Sequence, residues 1–427
     1  MKIMVIGGGG REHAIIRKLR ENPAVTEIYA LPGNAGIAED ATCVKIAATD
    51  IDGMVRFAMD NGIEFAVVAP DDPLAMGAVD ALHAAGVPCF GPDAKAAQIE
   101  SSKAFAKNLM KKYGIPTAAF EVFDDAQKAL EYVSTVKCPV VVKADGLALG
   151  KGVLICQNNA EAEEAVRAMM LDHRFGGSGA KVVVEEFLEG PEVSVLAFTD
   201  GNVVRPMVSS MDHKRANDGD EGLNTGGMGT VAPNPYYTKA IAQRCMDEIF
   251  LPTIRAMKAE GRPFKGCLYF GLMLTKDGPK VIEYNCRFGD PETQVVLPLL
   301  RSDLFDIMRA VENETLADAK VEFSDESACC VMLASGGYPE KYEKGKVISL
   351  GRAPEMAQLF HSGTTRNEKG ELVTNGGRVL GVCCVGKTLA EAVRAAYVAA
   401  DEVSFEKLHR RSDIGARALA CRSGAEE

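Results

Sequence analysis

The chain has 427 residues, 47% hydrophobic and 25% charged, a balance that supports roughly three folded domains and argues against extended disorder. Its net charge of −11, from 48 Lys and Arg against 59 Asp and Glu, excludes a generally basic nucleic-acid or membrane surface, so anionic ligands need local basic pockets. The twelve cysteines form no CxxC pair and several sit in apolar runs such as Ala328-Cys329-Cys330-Val331, which suits buried thiols in a reducing cytoplasm; no signal-peptide pattern or membrane-length apolar run appears.

In chain order, Ile3–Ile6, Glu27–Ala30, Phe65–Ala69 and Pro88–Phe90 read as strands, with helices over Glu12–Glu21 and Pro73–Ala85. Strands alternating with helices predict a doubly wound parallel sheet over residues 1–100. A helix over Ser101–Tyr113 stops at Gly114-Ile115-Pro116. Residues 117–187 then read as a compact α+β lobe, with strands Pro139–Lys143, Val153–Ile155 and Lys181–Glu186 and helices Asp124–Val136 and Ala160–Met170. The stretch 188–327 supplies antiparallel-looking strands Glu192–Phe198, Val203–Met207, Cys267–Leu274 and Lys280–Asn285, with helices near Thr238–Glu260 and Asp303–Asn313. Residues 328–427 open with the strand Ala328–Ala334 and close with a helix over Thr388–Val403, a small α+β unit.

The turn Gly7-Gly8-Gly9-Gly10-Arg11-Glu12-His13 follows a strand and opens a helix, where backbone N–H groups attract an anion. It is no dinucleotide fingerprint: starting GxGxxG at Gly7 puts Glu12 in the third glycine position, and starting at Gly8 puts His13 there. A second turn, Pro32-Gly33-Asn34-Ala35-Gly36, falls at the same carboxyl edge of the sheet, and the two can frame one ligand.

Lys143-Ala144-Asp145-Gly146-Leu147-Ala148-Leu149-Gly150-Lys151-Gly152 resembles a Walker A loop but fails it, because three residues separate Gly146 from Gly150 and Gly152 stands where Ser or Thr would bind magnesium. A glycine loop between strands can instead close over nucleotide phosphates, with Lys143 and Lys151 meeting their oxygens. Downstream, Glu185-Glu186-Phe187-Leu188 leads through a turn to Glu192; backbone there can read an adenine edge, and the Glu192 carboxylate can accept from ribose hydroxyls. Alternation along Val281–Arg287 predicts Glu283, Asn285 and Arg287 on one face, giving two oxygen ligands for a hard cation and a guanidinium for a phosphoryl oxygen.

Gly-Gly-Arg11-Glu12-His13, Pro-Gly33-Asn34-Ala-Gly, Asp212-His213-Lys214-Arg215, Asn224-Thr225-Gly226-Gly227-Met228-Gly229 and Glu283-Tyr-Asn285-Cys-Arg287-Phe-Gly-Asp290-Pro-Glu together resemble the glycinamide ribonucleotide synthetase family along nearly the whole chain. The resemblance implies an α/β and α+β multidomain protein of ATP-grasp fold, with an N-terminal doubly wound parallel-sheet domain (1–100), a core (101–116 and 188–327), a flap (117–187) and a small C-terminal α+β domain (328–427). It implies ligation of glycine to 5-phosphoribosylamine with ATP through a glycyl phosphate, in purine biosynthesis. It implies ATP contacts from Lys103, Lys143, Gly150, Lys151, Gly152, Glu185, Glu186, Leu188 and Glu192, and Mg²⁺ or Mn²⁺ on Glu283 and Asn285. Arg287, Lys214 and Asp212 are the catalytic candidates; Gly9, Gly10, Arg11, Glu12, Gly33, Asn34, Asn224, Gly226, Gly227 and Asp290 are the substrate-binding ones. Expected partners are small molecules only, without nucleic acid or membrane, on a monomer or weak homodimer. Two departures from the family pattern are Leu149 in the flap loop and Asp71-Asp72-Pro73; in addition Leu268–Leu274 offers no earlier metal carboxylate. The competing readings are an ATP-grasp carboxylase using bicarbonate, a nonenzymatic nucleotide or sugar-phosphate sensor, and a NAD dehydrogenase, which an absence of dinucleotide binding would remove.

Overall fold

The computed structural model describes residues 1–147, 152–172, 174 and 176–423. The first unit is a five-stranded parallel sheet in the order Thr42–Cys43, Glu27–Pro32, Lys2–Gly7, Phe65–Val68, Cys89–Phe90. Alternating residues of its central strand serve two cores. Met4 and Ile6 pack in one with Leu74, Val193 and Phe250, whereas Ile3 and Val5 pack in another with Phe198, Val295 and Phe305. A strand buried on both faces needs the continuous apolar run seen at Ile3–Ile6. The strand order reverses beside this central strand, and in open α/β sheets the ligand crevice lies at such a point, outside the carboxyl ends. Register does the rest: Ile6 pairs with Leu31 and Gly7 with Pro32, so the two glycine turns leave the sheet side by side.

The helix expected over Pro73–Ala85 is two helices, Asp71–Ala75 and Ala78–Ala84, broken at Gly77, whose φ of +87° no helix accepts. A short helix not foreseen from sequence, Ala94–Ser101, precedes Lys103–Tyr113. Ser102 separates them in extended conformation and caps the second through its hydroxyl, which accepts from the Phe105 N–H at 3.1 Å.

Residues 120–186 hold a four-stranded antiparallel sheet, Phe120–Phe123, Val182–Glu186, Val140–Ala144, Val153–Cys156, with Ala129, Val133, Ala162 and Val166 of two helices against it. A second antiparallel sheet runs Val204–Pro206, Glu192–Asp200, Lys265–Thr275, Gly278–Asn285. The helical stretch foreseen at Thr238–Glu260 runs from Lys239 to Ala259, widened into a π turn at Met246–Phe250.

The segment 188–327, grouped as one unit from sequence, is divided among three sheets, one of them the small hairpin Arg215–Asn217 with Glu221–Asn224. Its strands Met211–Asp212 and Gly229–Ala232 join Ser327–Ser335, Arg378–Gly386 and Gln358–His361 in the C-terminal sheet, where Leu408–His409 also pairs with Ser327–Ser335. Cross-strand neighbours there include Cys329 with Cys384 and Cys330 with Cys383, and all twelve cysteines are free. Among the described residues no helix is long and apolar enough to cross a membrane.

Candidate active site

The site begins at the paired turns. The Gly9 N–H donates to Glu12 Oε2 at 2.6 Å, and Arg11 donates from Nε to Glu12 Oε1 at 2.8 Å and from Nη1 to the Phe288 carbonyl at 2.8 Å. Glu12 is thus spent on holding its own turn, with Arg11 stretched toward residue 288. Asn34 is spent too. Its amide nitrogen donates to the carbonyls of Gly8 at 2.9 Å and His361 at 2.7 Å, and its oxygen accepts from the N–H groups of Gly36 and Ile37 at 2.9 Å each. The close approach explains one glycine: a Cβ on Gly8 would stand 2.5 Å from the Gly33 carbonyl oxygen. Gly33 itself has φ of +69° and donates its N–H to the Gly7 carbonyl at 3.1 Å.

Beneath this corner His13 is fully buried in the helix Gly10–Leu19. Its Nδ1 accepts from the His361 N–H at 2.9 Å, which fixes the proton on Nε2, 3.1 Å from Asp40 Oδ2. Burial lowers its affinity for a second proton, against the pull of Asp40.

Asp290 lies next along the chain of contacts. A Cβ on Gly9 would be 3.5 Å from its Oδ2, Gln294 donates to its Oδ1 at 2.7 Å, and Arg378 reaches it at 3.5 Å. Burial works against its ionisation, but Arg378 and Arg11 overcome this and hold its carboxyl below the usual range. Arg378 also donates to the Gly226 carbonyl at 2.8 Å and to that of Asp290 at 2.7 Å, so one guanidinium ties the Asn224–Gly229 loop to residue 290. That loop is folded on itself: the Thr225 hydroxyl donates to the Lys214 carbonyl at 2.8 Å and accepts from the Gly227 N–H at 2.9 Å. Gly227, at φ of +117°, leaves no room for a side chain between Asp212 and Pro291.

Asp212 is pushed well above the usual carboxylate range by burial and by the nearby Glu292 charge, against Lys214. Lys214 lies 3.4 Å from Glu192 and 3.5 Å from Glu283. Glu283 is opposed by burial yet held below its ordinary value by Lys214, Lys143 and Lys103. These cations come from three separate parts of the chain: a strand, the start of a helix and, for Lys214, the loop between Met211–Asp212 and Arg215–Asn217. Lys143 stands on the strand Val140–Ala144, 3.0 Å from Glu185 and 3.1 Å from the Ile282 carbonyl; Lys103 opens the helix Lys103–Tyr113 and donates to the Gly146 carbonyl at 2.9 Å.

The strand carrying Glu283 has a bulge, because Gly271 pairs with Glu283 while Leu272 pairs with Val281, leaving Ile282 extra. It ends at Asn285, so strand alternation places Glu283 and Asn285 alike but does not extend to Arg287, as the sequence pattern had suggested. Arg287 instead turns its guanidinium to Glu100 at 3.0 Å, and the Asn285 amide, oriented to avoid setting oxygen against oxygen, donates to the same carboxylate at 3.1 Å.

Glu186 and Leu188 lie apart from these charges. Glu186 pairs with Lys280 at 3.2 Å and accepts the Ala119 N–H at 3.0 Å, and Leu188 is half-buried in the turn after it. Asn224 ends the hairpin strand Glu221–Asn224, and Gly152 lends its carbonyl to the Ala144 N–H at 2.8 Å. Gly150 and Lys151 lie outside the described residues.

Two participants escaped sequence reading. Lys107 is buried, 3.1 Å from Glu185 on the side opposite Lys143, and burial pushes it down to about 8 despite that carboxylate. Glu100 is buried at the end of Ala94–Ser101. A lysine one helical turn after Lys103 was the only sequence sign of the first; nothing local marked the second.

The chain matches the Phosphoribosylglycinamide synthetase N domain over residues 1–100, the ATP-grasp (A) domain over 101–293 and the C domain over 328–417. It is 48% identical to phosphoribosylamine–glycine ligase of Neisseria meningitidis serogroup A over 421 residues, covering 98% of this chain and 100% of the relative. The crystal structure of phosphoribosylamine–glycine ligase from Thermotoga maritima superposes with a TM-score of 0.83 at 36% identity, covering 97% of this chain and 100% of that one. A biotin carboxylase from Campylobacter jejuni, 15% identical with a TM-score of 0.73 over 96% of this chain and 92% of that one, shares the fold alone. From the three matched domains and the full-length identity, this chain belongs to the phosphoribosylglycinamide synthetase family of ATP-grasp ligases.

Proposed function

We propose that this chain is the ATP-dependent ligase that joins glycine to 5-phosphoribosylamine, giving glycinamide ribonucleotide, ADP and phosphate, and that it works through a glycyl phosphate. The observation that carries the reading is the gathering of three lysines from distant parts of the chain around the Glu283 strand: Lys214 stands 3.5 Å from Glu283, Lys143 is 3.1 Å from the Ile282 carbonyl, and Lys103 also draws on the Glu283 charge. Glu283 shares these cations with Glu185, which pairs with Lys143, and Glu192, which pairs with Lys214. When ATP is bound, Lys103 and Lys143 serve its phosphates, and Glu192 serves its ribose. Glu185 holds Lys143, and with Glu186, Leu188 and the Gly150-Lys151-Gly152 loop it forms the rest of the nucleotide site.

Glu283 and Asn285 offer two hard oxygen donors, which suits a divalent cation completed by phosphate oxygens and water; among the described residues no group of three or more His, Cys, Asp or Glu gathers into a self-sufficient metal site. Magnesium or manganese held there would neutralise charge on the transferring phosphates.

A glycine carboxylate oxygen attacks the γ-phosphorus and ADP leaves. The amine nitrogen of phosphoribosylamine then attacks the acyl carbon, phosphate leaves, and the nitrogen loses one proton. Arg287 neutralises the phosphoryl group in transit, and Lys214 holds the glycine carboxylate. Asp212, in its ionised form beside Lys214, takes the amine proton. Asn224, Gly226, Gly227 and Asp290 line the acceptor side, and the Gly9–Glu12 and Gly33–Asn34 turns present backbone N–H groups to the sugar phosphate. The protein's contribution is positioning and charge neutralisation.

The test is ADP release with ATP and Mg²⁺, comparing glycine plus fresh phosphoribosylamine with each omitted and with bicarbonate in their place. Release that requires both substrates is expected; release with bicarbonate alone would sink the reading.

A further inference from the structure

Glu100 lies far from the strand Gly278–Asn285 in sequence and at its end in space. Its Oε2 accepts the Cys286 N–H at 2.7 Å. Its Oε1 is shared between Arg287 Nη2 at 3.0 Å and the Asn285 amide nitrogen at 3.1 Å. One buried carboxylate therefore fixes three consecutive residues as they leave the strand. A structural partner for Arg287 alone would need neither of the other contacts, and it would saturate the guanidinium, whereas Arg287 Nε is buried without a partner.

A carboxylate only accepts hydrogen bonds, so it dictates which edge of a neighbouring amide faces it. The Asn285 nitrogen must turn toward Glu100, and the oxygen is left on the opposite edge. We propose that Glu100 is a positioning residue of the ligase reaction: it selects the oxygen of Asn285 as the ligand-facing atom and holds Arg287 beside it. This rests on the reading of Asn285 as a metal ligand. The helix that carries Glu100 is followed two residues later by Lys103, so the same segment places a phosphate-binding cation and orients the metal-binding amide.

The experiment measures ADP binding by calorimetry with and without Mn²⁺, together with Mn²⁺ binding by electron paramagnetic resonance, on the full chain. In wild type, Mn²⁺ is expected to tighten ADP binding. In Glu100→Gln the side chain can donate as well as accept, so only the Tyr284 carbonyl, which the Asn285 nitrogen also meets at 3.0 Å, still opposes a turn of the amide. Binding of metal-free ADP should stay near wild type while the Mn²⁺-dependent tightening falls by about tenfold or more, the scale seen when a residue supporting a metal ligand is lost. The double variant Glu100→Gln with Asn285→Asp reverses donor and acceptor, since the introduced amide would donate to one oxygen of the introduced carboxylate and leave the other outward; most of the tightening should return. If Glu100→Gln does not fold, Glu100→Asp keeps an acceptor-only group one methylene short and should still reduce the tightening measurably.

Full tightening in whichever Glu100 single variant folds, when Asn285→Ala abolishes it, overturns the role of Glu100; so does a double variant no better than Glu100→Gln. Tightening that survives Asn285→Ala, or is absent in wild type, overturns instead the assignment of Asn285 as a metal ligand.

Discussion

The two halves of the site are built on opposite principles. At the glycine turns the polar side chains are consumed: Asn34 meets five backbone groups, Glu12 holds the Gly9 N–H and Arg11, and His13 is tied to residue 361. A ligand arriving there meets main-chain N–H groups on a frame that side chains keep rigid. At the end of the Gly278–Asn285 strand Lys214 and Glu283, each partly exposed, stand 3.5 Å apart, and the proposed function makes such side chains the ligand-facing groups. The side chains of the first half are spent on the fold, and the proposal puts the chemistry on the second.

Arg287→Ala gives the largest expected effect. Turnover should fall by about 10²–10³-fold, as for loss of one preorganised group on developing charge, while ATP binding by calorimetry stays close to wild type. Equal losses in binding and turnover would erase the contrast between the halves.

Acid should strike the first half. Burial lowers the pKa of His13 from 6.5, and burial with the neighbouring His13 pushes His361 down to about 3. With the folded values below the unfolded one, the unfolded chain binds more protons, so this stability is present above about pH 6.5 and is lost as pH falls. From His361 alone about 1 kcal/mol should go between roughly pH 6.5 and 5.5, read by urea unfolding, and His13 adds to the loss in the same direction. His13→Gln should lower the slope against pH by up to about one proton; an unchanged slope would move the acid sensitivity elsewhere.

Asn34→Ala is the mildest of the three in its effect on the reaction. It leaves the Gly8 and His361 carbonyls and two N–H groups without their partner and should cost about 2 kcal/mol of stability. The KM for the amine should rise with little change in kcat. A kcat defect without loss of stability would place Asn34 among the ligand groups after all.

Much of this was legible in the sequence because the signals were local. The strand–helix alternation of residues 1–100, the two glycine turns and the run from Glu283 to Glu292 each declare themselves through neighbours close along the chain. Gly77 was present in the sequence, yet a single glycine inside an amphipathic pattern does not announce that its φ is positive. The joining of Gly229–Ala232 to Ser327–Ser335 could not be read either, since both are short apolar runs that fit any sheet. Glu100 and Lys107 were invisible for the same reason: each derives its meaning from a partner on a distant element, Arg287 for one and Glu185 for the other.

The contact between Asn34 and the carbonyl of His361 spans 327 positions in the chain. On a ribosome adding about 5–20 residues per second, the second glycine turn waits tens of seconds for the segment that completes it. Through that interval the Ile3 and Val5 face of the N-terminal sheet has the near partners Ala14, Ile15, Ile16 and Leu19 but lacks those that come from residues 288 to 383. The core on that face is therefore completed only late in synthesis.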